Sequence, residues 1–130
     1  AARIASWNEP RMLILDSPYY SFYHQVNRYG WMLPIRWLLR YQIRTDRFFK
    51  KINCPIFIIH GKKDRLIPFN QSEMLYRLAP RHTQVFPIVE GGHNNLPDFP
   101  EYHEHLYDIL NDEELYLSLI DRISQQSKRA

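Results

Sequence analysis

Asp64 and His93 are the two side chains of this sequence best placed to do chemistry together. Asp64 lies in H-G-K-K-D-R-L-I-P at 60–68, and His93 in E-G-G-H-N-N at 90–95. An imidazole can take up a proton near neutral pH. A carboxylate beside it holds one tautomer and stabilises the charged ring that results. That pairing serves nucleophilic acyl transfer, in which the base activates a hydroxyl. The turn that would present a nucleophilic serine, G-x-S-x-G, occurs nowhere in the 130 residues.

Other candidates are weaker. Ser17 precedes Asp64 and His93 in the chain, but Pro18 follows it and removes the N–H an oxyanion hole would use. It is expected to be a strand-end turn residue. His60 precedes Gly61 at a strand end and is expected to be a satisfied structural histidine. His103 and His105 are two residues apart on a helix and face nearly opposite sides. No H-E-x-x-H or Cys/His ligand pattern is present, so no metal is expected. Nor is there a phosphate-cradling glycine loop, and no cofactor is implied.

The pair can work only if rigid elements present it. Each of the two loops follows a short apolar run, 56–59 and 85–89, and three of the four glycines (Gly61, Gly91 and Gly92) lie in these loops. Runs of this length, rich in β-branched residues and bounded by turn signals, predict buried strands. A third run, 11–16, is bounded by Pro10 and Pro18 and predicts another. Residues 1–8 read as the end of a helix. Thr45 is expected to cap a short helical turn. Asn70 with Glu73 predicts a capping-box start for a helix ending near Ala79. The tail 101–127 reads as one helix interrupted, or two joined, at Asn111–Asp112. Strands separated by helices imply a parallel sheet. The expected fold class is therefore α/β, with three parallel strands and flanking helices. The apolar strand at 11–16 should pair on both sides, so the chain reads as the last part of a larger fold.

Composition excludes several classes. At 45% hydrophobic with nine Pro, the chain is not disordered, and no apolar stretch approaches the ~20 residues needed to span a bilayer. One cysteine, Cys54, excludes an internal disulfide and suits a reducing compartment, so a cytoplasmic address is expected. Charge is polarised: seven basic residues and one acidic between His24 and Asn53, then nine acidic and no Lys or Arg from His82 to Asp121. The acidic half argues against nucleic acid. The aromatic segment 19–53 contains a helix opened by Pro34, with Arg36, Arg40 and Arg44 opposite Ile35, Leu38, Leu39 and Ile43. This stretch, 31–44, fits a cap helix over a pocket, a helix on an anionic membrane surface, or solvated packing.

The segments CPIFIIHGKKDRLIP and VEGGHNN, with MLILDSP and AARIAS before them, resemble the C-terminal part of the α/β-hydrolase superfamily in its serine aminopeptidase-like branch. The resemblance covers most of residues 1–110. It implies that Asp64 is the triad acid and His93 the general base. It also implies that the nucleophile and both oxyanion donors lie before Ala1, and that 19–53 contributes a cap-like segment. The implied activity is serine hydrolysis of a small ester or acyl substrate, with amide or peptide hydrolysis less favoured. The contrasting expectation is a truncated, non-catalytic hydrolase-like protein that binds a partner or a membrane surface. As a fragment the isolated chain is expected to be inactive without its nucleophile, and to self-associate or be marginally folded because the strand at 11–16 is left uncovered.

Overall fold

The structure is a computed structural model, and it describes residues 1–21 and 44–128. Among the described residues three strands form one parallel sheet in the order β1 (Leu13–Asp16), β2 (Ile56–Gly61), β3 (Thr83–Ile88). Leu13 pairs with Ile56 and Asp16 with Ile59, while Ile56 pairs with Thr83 and Gly61 with Ile88. The central place of β2 explains its composition. All six of its residues are buried, because a parallel strand with helices over both faces has no side to give to water.

Alternation along β2 divides the core in two. Ile56 and Ile58 pack with Leu13, Leu15, Phe49, Ile52 and Leu75 on one face. Phe57 and Ile59 pack with Ile88, Leu96, Ile109 and Leu119 on the other. Helices Ala2–Ala5, Thr45–Phe49 and Asn70–Leu78 supply the first cover, and helices Pro100–Asn111 and Glu113–Ser127 the second. The last two are separate helices, as the break at Asn111–Asp112 allowed. Asp112 is extended, and its carboxylate accepts the Leu115 N–H at 3.0 Å, which starts the second helix.

Two expected caps are not formed. Asn70 is the first residue of its helix rather than its cap. Phe69 is already helical, and the N–H groups of Gln71 and Ser72 are taken by the carbonyls of Pro68 and Phe69. No donor is left for the Asn70 side chain. Thr45 likewise lies inside its helix, whose preceding residue is Arg44. The Arg44 guanidinium grips both oxygens of Asp46, at 2.8 and 2.6 Å, and holds that carboxyl below its ordinary range.

Among the described residues β1 pairs only with β2, and Met12 and Ile14 are half-buried against the second cluster. The expected cap and membrane-surface helix at 31–44 falls almost entirely outside the described residues. None of the helices described is long and apolar enough to cross a membrane.

Candidate functional site

The sheet delivers both candidate loops to the same edge. β2 ends at Gly61 opposite Ile88, the last residue of β3, so the chain leaves both strands side by side. Backbone bonds then join the loops: Lys62 N–H to the Ile88 carbonyl and Lys63 N–H to the Gly91 carbonyl, each at 2.9 Å. Gly61 permits this approach, since a Cβ there would overlap the Gly91 carbonyl. At the rim the Lys63 ammonium pairs with the Glu90 carboxylate. Past Gly91 the chain is steadied by the Gly92 N–H, which donates to the Asn95 side chain at 2.7 Å.

The residues after β2 fold back on the Asp64 carboxylate. Its Oδ1 accepts the N–H groups of Leu66 and Ile67 at 2.9 and 2.8 Å. Its Oδ2 lies 2.8 Å from His93 Nδ1. A carboxylate can only accept from a neutral imidazole, so Nδ1 carries the hydrogen and Nε2 keeps the lone pair. The Asp64 side chain is wholly buried while that of His93 is 29% exposed. A fixed carboxylate thus orients a ring that is partly open to solvent. This arrangement can accept, hold and return one proton.

His60 is fully buried and bonded at both ring nitrogens, to Ser72 Oγ at 2.6 Å and the Ile67 carbonyl at 2.8 Å. The expectation of a satisfied histidine is met, but its nearness to Asp64 was not readable from spacing alone. Its Nε2 stands 3.4 Å from Asp64 Oδ2.

Ser17 directly follows β1, with its N–H on the Ile59 carbonyl. Its φ of 43° is left-handed, a strain a nucleophile turn would share. However, its hydroxyl is buried and has no hydrogen-bond partner among the described residues, and no helix follows through Ser21. The structure does not bring it into bonding contact with His93. His103 and His105 diverge as expected: the first donates from Nε2 to the Pro97 carbonyl, and the second packs on Phe86. Among the described residues no cluster of His, Cys, Asp or Glu could hold a metal ion.

No protein-family model matches the chain. It is 37% identical over 116 residues to uncharacterized protein R595 of Acanthamoeba polyphaga mimivirus, a match covering 79% of this chain and 38% of that protein. It is 31% identical over 99 residues to uncharacterized protein YfhR of Escherichia coli strain K12, covering 75% and 33%. Against alpha/beta hydrolase domain-containing protein 17C of Xenopus tropicalis it is 30% identical over 63 residues, covering 48% and 20%. The matches therefore span between 20% and 38% of the length of these curated relatives. Among solved structures it superposes on uncomplexed Pyrococcus horikoshii acylaminoacyl peptidase with a TM-score of 0.57 at 14% identity, covering 88% of this chain and 23% of that one. A likeness at that identity shows the fold.

Proposed function

Because this chain carries part of the α/β-hydrolase fold, we propose that it supplies the acid and the base of a serine hydrolase, Asp64 and His93. The substrate is an ester, with amides a less favoured class. In this reading the nucleophilic serine and the oxyanion donors belong to a longer protein and lie outside these 130 residues, before β1. The matched relatives are correspondingly longer, and the edge of β1 that is unpaired among the described residues is where the rest of the sheet would pair.

The observation that carries the reading is the 2.8 Å bond between His93 Nδ1 and Asp64 Oδ2. With Nδ1–H fixed, Nε2 takes the serine proton as the serine oxygen bonds to the acyl carbon. Collapse of the tetrahedral intermediate expels the alcohol oxygen, which takes that proton from Nε2. Water then loses a proton to Nε2 and attacks the acyl-serine, releasing the carboxylic acid and returning the proton to serine. Asp64 stabilises the imidazolium in both halves without being protonated itself.

The test is covalent labelling of the full-length protein with a serine-directed fluorophosphonate, with the modified residue located by mass spectrometry. The expected label sits on a serine outside residues 1–130 and disappears in His93→Ala. A label on Ser17 would make that residue the nucleophile. No label at all would favour a non-catalytic hydrolase-like module that binds a partner or a membrane surface.

A further inference from the structure

Behind Asp64 runs a line of hydrogen bonds that the proton transfers above do not use. It starts at Ser72, fully buried in the first turn of helix Asn70–Leu78, and passes through His60, the fifth residue of β2. The Ile67 carbonyl can only accept, so His60 Nε2 carries the hydrogen on that 2.8 Å bond. In the neutral ring the other nitrogen, Nδ1, accepts from the Ser72 hydroxyl, 2.6 Å away. Ile67 is in consequence held at both of its backbone polar groups. His60 takes its carbonyl, and Asp64 Oδ1 takes its N–H at 2.8 Å. The Phe69 ring packs edge-on against His60 with 5.6 Å between ring centroids.

We infer that His60, anchored by Ser72, is a positioning residue that locks the 64–67 turn and, as a neutral ring, leaves the charge of Asp64 Oδ2 to His93. The inference rests on the acid–base reading of Asp64 and His93. The geometry accommodates a neutral ring: Nε2–H is committed to a carbonyl, and the Ser72 hydroxyl can donate to Nδ1, so both bonds are made with one ring hydrogen. Burial is the largest influence on the ring and disfavours its charged form. It outweighs the Ile67 carbonyl and the carboxylates of Asp64 and Asp16, which favour that form. A charged His60 at 3.4 Å would instead compete with His93 for the same oxygen.

The role makes a demand that packing alone does not. If the turn loosens, Asp64 no longer selects the Nδ1–H tautomer of His93. The experiment is nitrogen-detected NMR of ¹⁵N-histidine in the full-length protein, alongside ester turnover, for wild type, His60→Leu, His60→Gln and Ser72→Ala. In wild type, His60 is expected as the neutral Nε2–H tautomer and His93 as Nδ1–H. His60→Leu should turn His93 into a mixture of tautomers and lower kcat by roughly 10–100-fold with little change in KM, the scale of a small misplacement of a catalytic group. His60→Gln, whose amide can still donate to the Ile67 carbonyl, should restore both. Ser72→Ala should act in the same direction but less strongly, and serves if His60→Leu does not fold. A wild-type His60 that is charged or carries Nδ1–H alone would overturn the inference. So would a His93 tautomer unchanged in both His60→Leu and Ser72→Ala. The NMR readings need no substrate, so they stand apart from the fluorophosphonate result: absent labelling defeats the hydrolase reading, and an unmoved His93 defeats this one.

Discussion

Gly61 and Gly91 approach so closely that a Cβ on the first would overlap the carbonyl group of the second. The contact is backbone against backbone, so no side chain can rotate away to relieve it. It is also what brings the Asp64 and His93 loops together, since the bond from Lys63 N–H to the Gly91 carbonyl sits beside it.

Gly61→Ala should therefore weaken both stability and the site. Overpacking of this kind costs typically about 1–3 kcal/mol. Urea unfolding reads the loss, and the His93 Nδ1–H resonance should broaden or shift as the loops part. A variant with wild-type stability would show that the loops can separate without cost.

Phe57 has no exposed surface and anchors the sheet face beneath the last two helices. Phe57→Ala should cost about 3–5 kcal/mol through lost transfer energy and the cavity left behind. Denaturant midpoints check this, and a loss below about 1 kcal/mol would mean the site collapses freely or the packing is misassigned.

Much of this architecture was readable in the sequence, for identifiable reasons. β2 announced itself because a fully buried parallel strand has to be continuously apolar. Asp64 and His93 could be paired because each follows a strand, one crossover apart, with glycines at the exits. The expected caps at Thr45 and Asn70 do not form because each helix begins one residue earlier than the side-chain pattern suggests, and at Asn70 the backbone carbonyls of Pro68 and Phe69 take the donors its side chain would have bonded. The Ser72–His60–Ile67 line was missed because it joins a strand, a turn and a helix through a carbonyl, and no residue spacing encodes a carbonyl's direction.

Acid should destabilise the fold through its histidines before its carboxylates titrate. His60 and His82 are both held below their ordinary value, chiefly by burial. An unfolded histidine binds a proton near about pH 6.5, so below that pH the unfolded chain binds more protons than the folded one. Their contribution is complete above that pH and is lost as pH falls. The urea midpoint should drop between about pH 7.5 and about pH 5. A midpoint that rises over this interval would contradict a neutral state of the buried His60 and the half-buried His82.

Cys54 is buried, and burial pushes its thiol above the usual range, though its own backbone N–H pulls the other way. The thiolate is the reactive form. The native protein should therefore resist iodoacetamide near neutral pH and react on unfolding in urea. Equal rates in the two states would place Cys54 at the surface.

The central claim is that Asp64 orients His93 as a base, and the most direct measurement is turnover of a nitrophenyl ester by the full-length protein and its Asp64→Asn variant. The asparagine keeps the shape of the turn but can favour the wrong imidazole tautomer. The account predicts a fall in kcat on the order of 10⁴-fold, with KM little changed and the fold intact by circular dichroism. An Asp64→Asn protein that folds and retains kcat within a few-fold of wild type would contradict it.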